Sequence, residues 1–136
     1  MPMRTAKETA MLETGIKNTI TKTVTPEYTA KALGSGLLNV FSTPMLTAFM
    51  EEAAHTMVAP FLEDGCSTVG ISMELKHTAP TPVGMTVTVT ATLTEIDRKK
   101  LTFSITARDE KGDIGSAVHK RFIVNSEEFE KKAYNK

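Results

Sequence analysis

The sequence predicts an α+β domain in which one antiparallel sheet curves around a single long, largely buried helix. Three observations predict it: two successive runs of strict apolar and polar alternation, one long apolar segment with helix signals at both ends, and the order strand, helix, four strands. In MTVTVTATL, Met85, Val87, Val89, Ala91 and Leu93 fall on one face and threonines on the other. LTFSITA repeats the pattern with Leu101, Phe103, Ile105 and Ala107 inward. Period-two alternation of this kind belongs to half-buried strands. Polar breaks at residues 95–100 and 109–113, the second containing Gly112, read as hairpin turns.

Residues 114–124 supply a further strand of the series, and residues 68–77 an earlier one in which Val69, Ile71, Met73 and Leu75 share a face. A weaker strand over residues 15–25 places Ile16, Ile20 and Val24 together, with its neighbours left open. The helix spans residues 44–59, with Thr43 in the capping position, Pro44 at the first helical position and Pro60 at the end. Met45, Leu46, Ala48, Phe49, Met50, Ala53, Ala54, Met57 and Val58 cover most of its circumference, which predicts burial on nearly all sides. The C-terminal NSEEFEKKAY reads as a short amphipathic helix, with Asn125 and Glu128 at capping-box spacing. This is the element order of the hot-dog fold, although a cystatin-like or other α+β sandwich can be written with similar elements. No repeat or linker divides residues 1–136, so one domain is expected.

Composition narrows the function. Sixteen basic residues balance sixteen acidic ones among 136, so no global field draws the chain to nucleic acid or an anionic membrane, and an anionic ligand must be held locally. No run approaches the roughly eighteen apolar residues of a membrane span, and the mixed-charge opening MPMRTAKETAMLE lacks the apolar core of a signal peptide. The protein reads as cytoplasmic. The lone Cys66 makes no intramolecular disulfide, has no activating neighbour in DGCS, and reads as structural; no Cys/His spacing suggests a metal site.

Several residues stand out against this background. Glu51 and Glu52 interrupt the apolar helix, and a carboxylate buried alone costs several kcal/mol, so one of them should face a cleft. Pairing of Glu51 with His55 one turn later is the plainer alternative, and Glu52 reads as a solvated or interface carboxylate. His77 shares the parity of Val69 to Leu75, so on a straight strand its imidazole projects toward the helix; the kinked HTAPTPVG that follows fixes that strand end. A hydrogen-bonded structural histidine is the alternative there. For Thr43, capping and chemistry do not exclude each other. His119, Lys120 and Arg121 in the last strand, and Arg98, Lys99 and Lys100 at a hairpin, are either solvated charge or phosphate contacts.

The stretch VFSTPMLTAFMEEAAHTMVAPFLEDGCSTVGISMELKHTAPTPVGMTVTVTATL resembles the fluoroacetyl-CoA thioesterase family of hot-dog proteins, and the likeness runs from Val40 to about Val124. Its most specific parts are a threonine in Phe41-Ser42-Thr43 eight residues before the glutamate of Met50-Glu51, the APFLEDG helix exit, and HTAPTPVGMTVTVTA. The resemblance implies that Thr43, Glu51 and His77 are catalytic and that Gly70 lines the acyl site; the His119 and Arg121 positions match as well. It also implies a homodimer and an acyl-CoA substrate, with coenzyme A as the carrier and no separate cofactor or metal. Phe41, Leu37, Leu38, Lys120 and Arg121 are the remaining candidates for contacting substrate, the last two as surface cations for the CoA phosphates. The match fails before Val40: Leu37 or Leu38 stands where the fluoroacetyl-specific enzyme has a phenylalanine gate. A mobile aliphatic lid without fluoro-selectivity is therefore expected.

Geometry adds a constraint. Eight helical residues rise about 12 Å, so Thr43 and Glu51 of one continuous helix cannot meet directly. A catalytic cluster holding both needs two subunits, which puts the expected site at a dimer interface. The expectation is a small- or medium-chain acyl-CoA thioesterase in which Glu51 attacks the carbonyl or activates water, His77 moves the proton, Thr43 orients, and the Gly70 N–H stabilises the oxyanion. A non-catalytic acyl-CoA binding or sensing protein and a hot-dog dehydratase are the rival readings.

Overall fold

Gly15, at φ 95°, turns the chain into the first strand, β1 (Lys17–Thr23), a conformation open to glycine because it lacks a Cβ. The computed structural model describes residues 11–136, so most of the mixed-charge opening segment, and that end of the expected single domain, lie outside the described residues. A short helix α1 (Ala30–Leu33) and the long helix α2 (Thr43–Val58) follow, then β2 (Cys66–His77), β3 (Thr86–Asp97), β4 (Lys100–Asp109), β5 (Asp113–Asn125) and α3 (Ser126–Tyr134). The strands form one antiparallel sheet in the order β1-β3-β4-β5-β2. Helix α2 packs on β3, β1 and β2, and this is the hot-dog arrangement. The weak first strand thus lies at one edge, paired with β3, and β2 forms the other edge.

The alternating runs bury the faces expected of them. Val87, Val89, Ala91 and Leu93 on β3, and Leu101, Phe103, Ile105 and Ala107 on β4, are all buried against α2 or its flanks. Full burial of each larger side chain contributes about 1.5–3 kcal/mol. The opposite face of β1 and β3 carries paired hydroxyls, Thr19 with Thr90 at 3.0 Å and Thr21 with Thr88 at 3.2 Å. Asn18 ties β1 to the helix by donating to the Ala53 carbonyl.

Helix α2 departs from the sequence reading in two ways. Ser42, not Thr43, is its N-cap: the Ser42 hydroxyl accepts from the Met45 N–H at 3.2 Å. Its buried face is also narrower, because Ala48 is exposed while Leu46, Phe49, Met50, Ala53, Ala54, Met57 and Val58 carry the core. Pro60 does not end the helix abruptly, since Ala59–Phe61 continues it as one 3-10 turn. The C-terminal helix is capped by Asn125, which accepts from the Glu128 N–H.

The largest correction lies in β2. Pairing with β5 slips by one residue between Gly70 and Ser72, which leaves Ile71 opposite no partner. Beyond the slip Met73, Leu75 and His77 keep the expected face. Before it the parity inverts, so Thr68 and Gly70 take the inner positions expected for Val69 and Ile71, and Ile71 is half exposed. Gly115 on β5 lies opposite His77, where an added Cβ would sit 2.7 Å from the Lys76 carbonyl oxygen and 3.2 Å from Leu46. Because the near atom is backbone, Gly115→Ala is expected to destabilise by about 1–3 kcal/mol. Thermal unfolding checks this; an unchanged Tm would show that the strands part without cost.

Candidate active site

Two clusters of polar side chains occupy the inner face, each built by elements distant in sequence. The first joins the helix start to the end of β2. With Ser42 satisfying the helix N-terminus, the Thr43 hydroxyl is free, and its Oγ1 lies 2.8 Å from His77 Nδ1. The other ring nitrogen, Nε2, is buried without a hydrogen-bond partner among the described residues. An unpaired buried polar atom is costly unless a ligand or partner meets it. Burial lowers the His77 pKa below its ordinary value of about 6.5, against a smaller upward pull from the backbone of Ala79. The pair opens on a cleft of about 330 Å³ lined by Ala30, Ser35, Val40, Phe41, Thr78 and Ala79 among others.

The loop after His77 is held from below. Asp109 accepts from the Thr81 hydroxyl at 2.8 Å and from the Lys111 and Gly112 N–H groups, while the Thr81 carbonyl accepts from the Phe41 N–H at 2.9 Å. Burial alone would raise the Asp109 pKa, but these three donors outweigh it and hold the carboxyl below its usual range. Phe41 is buried, 5.1 Å from the Phe49 ring and 6.2 Å from that of His77. It borders the cleft mainly as core.

The second cluster is centred on Gly70. Glu51 leaves the middle of α2 and its Oε2 accepts from Arg121 Nη1 at 3.3 Å. Arg121 also donates from Nε to the Thr68 hydroxyl at 2.8 Å, from Nη2 to the Thr68 carbonyl at 2.9 Å, and shares Nη1 with His119 Nε2 at 3.1 Å. A Cβ on Gly70 would lie 2.8 Å from Glu51 Oε2, 3.3 Å from His119 and 3.4 Å from Arg121, so the absence of a side chain makes the room for the carboxylate. Burial lowers the Arg121 pKa and the Glu51 charge offsets it.

Several expectations change here. Arg121 is 6% exposed and fully engaged, so it is not a surface cation for phosphates; its charge serves Glu51. Lys120 lies on the opposite face of β5 from His119 and Arg121 and does not join the cluster. Leu37 and Leu38 are 89% and 67% exposed and are not among the residues lining the cleft of Thr43 and His77. Their loop is also tied rather than loose, since the Lys31 N–H donates to the Leu38 carbonyl at 3.0 Å. Glu51 takes Arg121 and not His55 as its partner, and Glu52 pairs with Lys22 at 2.8 Å, which raises the lysine pKa through that hydrogen bond. Thr68 does not stand out in the sequence, because only the register slip turns it toward the cluster, and Ser72 contributes only its backbone carbonyl.

The two clusters do not meet within one chain. Thr43 and Glu51 are eight residues apart on an unbroken helix, about 12 Å of rise. His77 lies opposite Gly115 and Met73 opposite His119, so four residues, about 13 Å of strand, separate the ends. Each chain presents a hydroxyl with an imidazole at one place and a carboxylate with a guanidinium at another.

Comparison with known proteins identifies the chain's relatives. Residues 24–127 match the family described as fluoroacetyl-CoA-specific thioesterase, so the likeness begins before Val40, where the residue pattern put its limit, and includes the loop of Leu37 and Leu38. The chain is 38% identical over 97 residues to the fluoroacetyl-CoA thioesterase of Streptantibioticus cattleyicolor, covering 71% of this chain and 70% of that protein. A solved structure of a fluoroacetyl-CoA thioesterase is similar with a TM-score of 0.90 at 32% identity, over 93% of this chain and 98% of that one. Forms of that enzyme have been solved with fluoroacetate and CoA and with acetyl-CoA. A thioesterase-superfamily member from Thermus thermophilus is similar with a TM-score of 0.83 at 26% identity, over 90% of this chain and 91% of that one. The hot-dog-like protein of Thermanaerovibrio acidaminovorans, at 24% identity and TM-score 0.82 over 90% of each chain, shares the fold. The chain belongs to the fluoroacetyl-CoA-specific thioesterase family.

Proposed function

We propose that the protein is a cytoplasmic, homodimeric acyl-CoA thioesterase that hydrolyses a small or medium acyl-CoA without strong preference for a fluorinated acyl group. The observation that carries the reading is the division of the polar residues into two half-sites too far apart to act within one chain. Among the described residues strand β2 is an edge with an unpaired side, and Gly70 on it is exposed beside the half-exposed Glu51. Edge pairing of two copies is the ordinary way to satisfy such a strand. It brings the Thr43 and His77 pair of one protomer toward the Glu51 cluster of its partner.

In the composite site Glu51, whose Oε2 accepts from Arg121 Nη1, attacks the thioester carbonyl or takes a proton from water. An anhydride formed by the attack is opened by water; on either route the proton comes from water and reaches the departing CoA sulfur through His77, neutral at rest, and Thr43 orients the reacting oxygen. The Gly70 N–H is the proposed donor to the oxyanion. With Arg121 buried and Lys120 facing away, the exposed Arg98 and Lys99 are the cations left from the original candidates to meet CoA phosphates.

A thiol-release assay over acetyl-, fluoroacetyl-, branched and aromatic acyl-CoAs tests the reading. Free CoA should appear, with fluoroacetyl- and acetyl-CoA turned over at similar kcat/KM, because the exposed aliphatic Leu37 and Leu38, outside the cleft of Thr43 and His77, provide no aromatic gate. A preference of many thousandfold for the fluorinated substrate would overturn the lid argument. Tight acyl-CoA binding with no thiol release would instead favour the sensor, and hydration of an enoyl-CoA the dehydratase.

Gly70→Ala offers a separate check. The nearest atom to the new Cβ is the end of a flexible side chain, Glu51 Oε2 at 2.8 Å, so the fold accommodates the methyl by moving the carboxylate. Tm should change little while kcat/KM falls about a hundredfold, the scale of misplacing a reacting group by about 1 Å. Retained activity would mean that Glu51 need not sit against Gly70.

A further inference from the structure

His119 is the buried titratable group that the proposed mechanism leaves unused. It is 1% exposed, stacked on Phe103 with ring centroids 6.0 Å apart, and both of its nitrogens are engaged. Nδ1 lies 2.8 Å from the Ser72 carbonyl oxygen. A carbonyl only accepts, so Nδ1 carries the proton. Nε2 lies 3.1 Å from Arg121 Nη1, and a guanidinium only donates, so Nε2 is the bare acceptor. The tautomer is fixed from both sides, by a residue just past the slip in β2 and by the cation that holds Glu51.

We infer that His119, as the neutral Nδ1–H tautomer, is a positioning residue that aims Arg121 Nη1 at Glu51, and that protonation of its Nε2 releases the carboxylate. The same Nη1 serves both partners, 3.1 Å to His119 and 3.3 Å to Glu51, while Thr68 fixes the other two nitrogens of the fork. With a proton on Nε2, two N–H donors would face each other across 3.1 Å. The guanidinium would have to turn, and the contact to Glu51 would go with it. The groups facing the ring are Arg121 from β5 and Glu51 from α2, which carry charge, and Ser72 and Gly70 from β2 and Phe103 from β4, which do not. Burial, followed by the Arg121 charge, lowers the His119 pKa against the Ser72 carbonyl and Glu51, so the neutral form holds at neutral pH. The inference rests on the thioesterase reading for its kinetic consequence and on the hydrogen bonds alone for the tautomer.

The test uses the full-length protein and two variants. His119→Gln offers an amide that donates to Ser72 and accepts from Arg121 but does not titrate; His119→Phe keeps the ring against Phe103 and removes both bonds. His119→Phe should lower kcat about tenfold to a hundredfold with a smaller change in KM. His119→Gln should recover most of that rate and lose one ionisation from the acid limb of the kcat/KM profile. In the wild-type protein, 15N NMR of the imidazole should show a protonated Nδ1 and a bare Nε2 from neutral pH down to below 6.5. A wild-type rate and acid limb in His119→Phe, or no recovery in His119→Gln, would overturn the inference. Should His119→Phe fail to fold, a protonated Nε2 on the wild-type imidazole at neutral pH, or an unchanged acid limb in His119→Gln, would overturn it equally. Wild-type protein that releases no CoA yet shows the stated tautomer would refute the thioesterase reading and leave the hydrogen-bond arrangement standing.

Discussion

Replacing Glu51 by glutamine is expected to lower kcat/KM by at least about 100-fold, and by as much as about 10⁴-fold, while the protein stays folded. The amide is nearly isosteric and still accepts from Arg121 Nη1, so the cluster keeps its shape. What is lost is the charge, and with it both routes, since an amide neither attacks a thioester nor takes a proton from water. The stability cost should be small, on the order of 1 kcal/mol: the Arg121 side chain is buried but that of Glu51 is 41% exposed, and water screens the pair from that side. Steady-state thiol release and thermal unfolding, run together, separate the effects. A folded Glu51→Gln protein with the wild-type rate would end the assignment of Glu51. His77→Ala should fall comparably in rate. The wild-type profile should hold below pH 6.5 before its acid limb begins, because burial keeps His77 neutral to lower pH than a free imidazole.

The elements most legible in the sequence were those whose pattern is local. Strict alternation assigned the inner faces of β3 and β4 residue by residue, and the proline and hydroxyl signals located α2 to within a residue at each end. What stayed hidden depends on contacts across the chain. Between Thr68 and Ser72 the one mark of the register slip is Gly70, which within a strand signals either a bulge or a close backbone approach, while the apolar side chains of Val69 and Ile71 point to the wrong parity. Ser42 and Thr43 are adjacent hydroxyls, either of which can cap; the backbone chose Ser42 and left Thr43 for His77. Arg121 reads as a surface cation because its partners Glu51 and Thr68 lie 70 and 53 residues away. The proposed trio of Thr43, Glu51 and His77 is read from a family motif, and the structure shows the half-site spacing that keeps those residues from meeting within one chain.

That spacing makes the largest gain of function predictable by mixing two dead proteins. Thr43→Val removes the hydroxyl that meets His77 and, with Ser42 as the cap, should leave Tm near wild type. Glu51→Gln disables the other half-site. In a homodimer of either variant both composite sites are defective. In a heterodimer one site collects both substitutions, while the other takes Thr43 and His77 from one protomer and Glu51 from its partner, all native. Each heterodimer should therefore have about half the wild-type specific activity if the sites work independently, and a freely exchanged equimolar mixture about a quarter, because half its dimers are mixed. If Thr43, His77 and Glu51 served one site within a single chain, every site in the mixture would keep one defect and no activity would return. Mass spectrometry of the exchanged mixture establishes that heterodimers have formed. Confirmed heterodimers that stay inactive, or a fully active monomer at assay concentration, would remove the shared site and with it the pairing role of the open β2 edge.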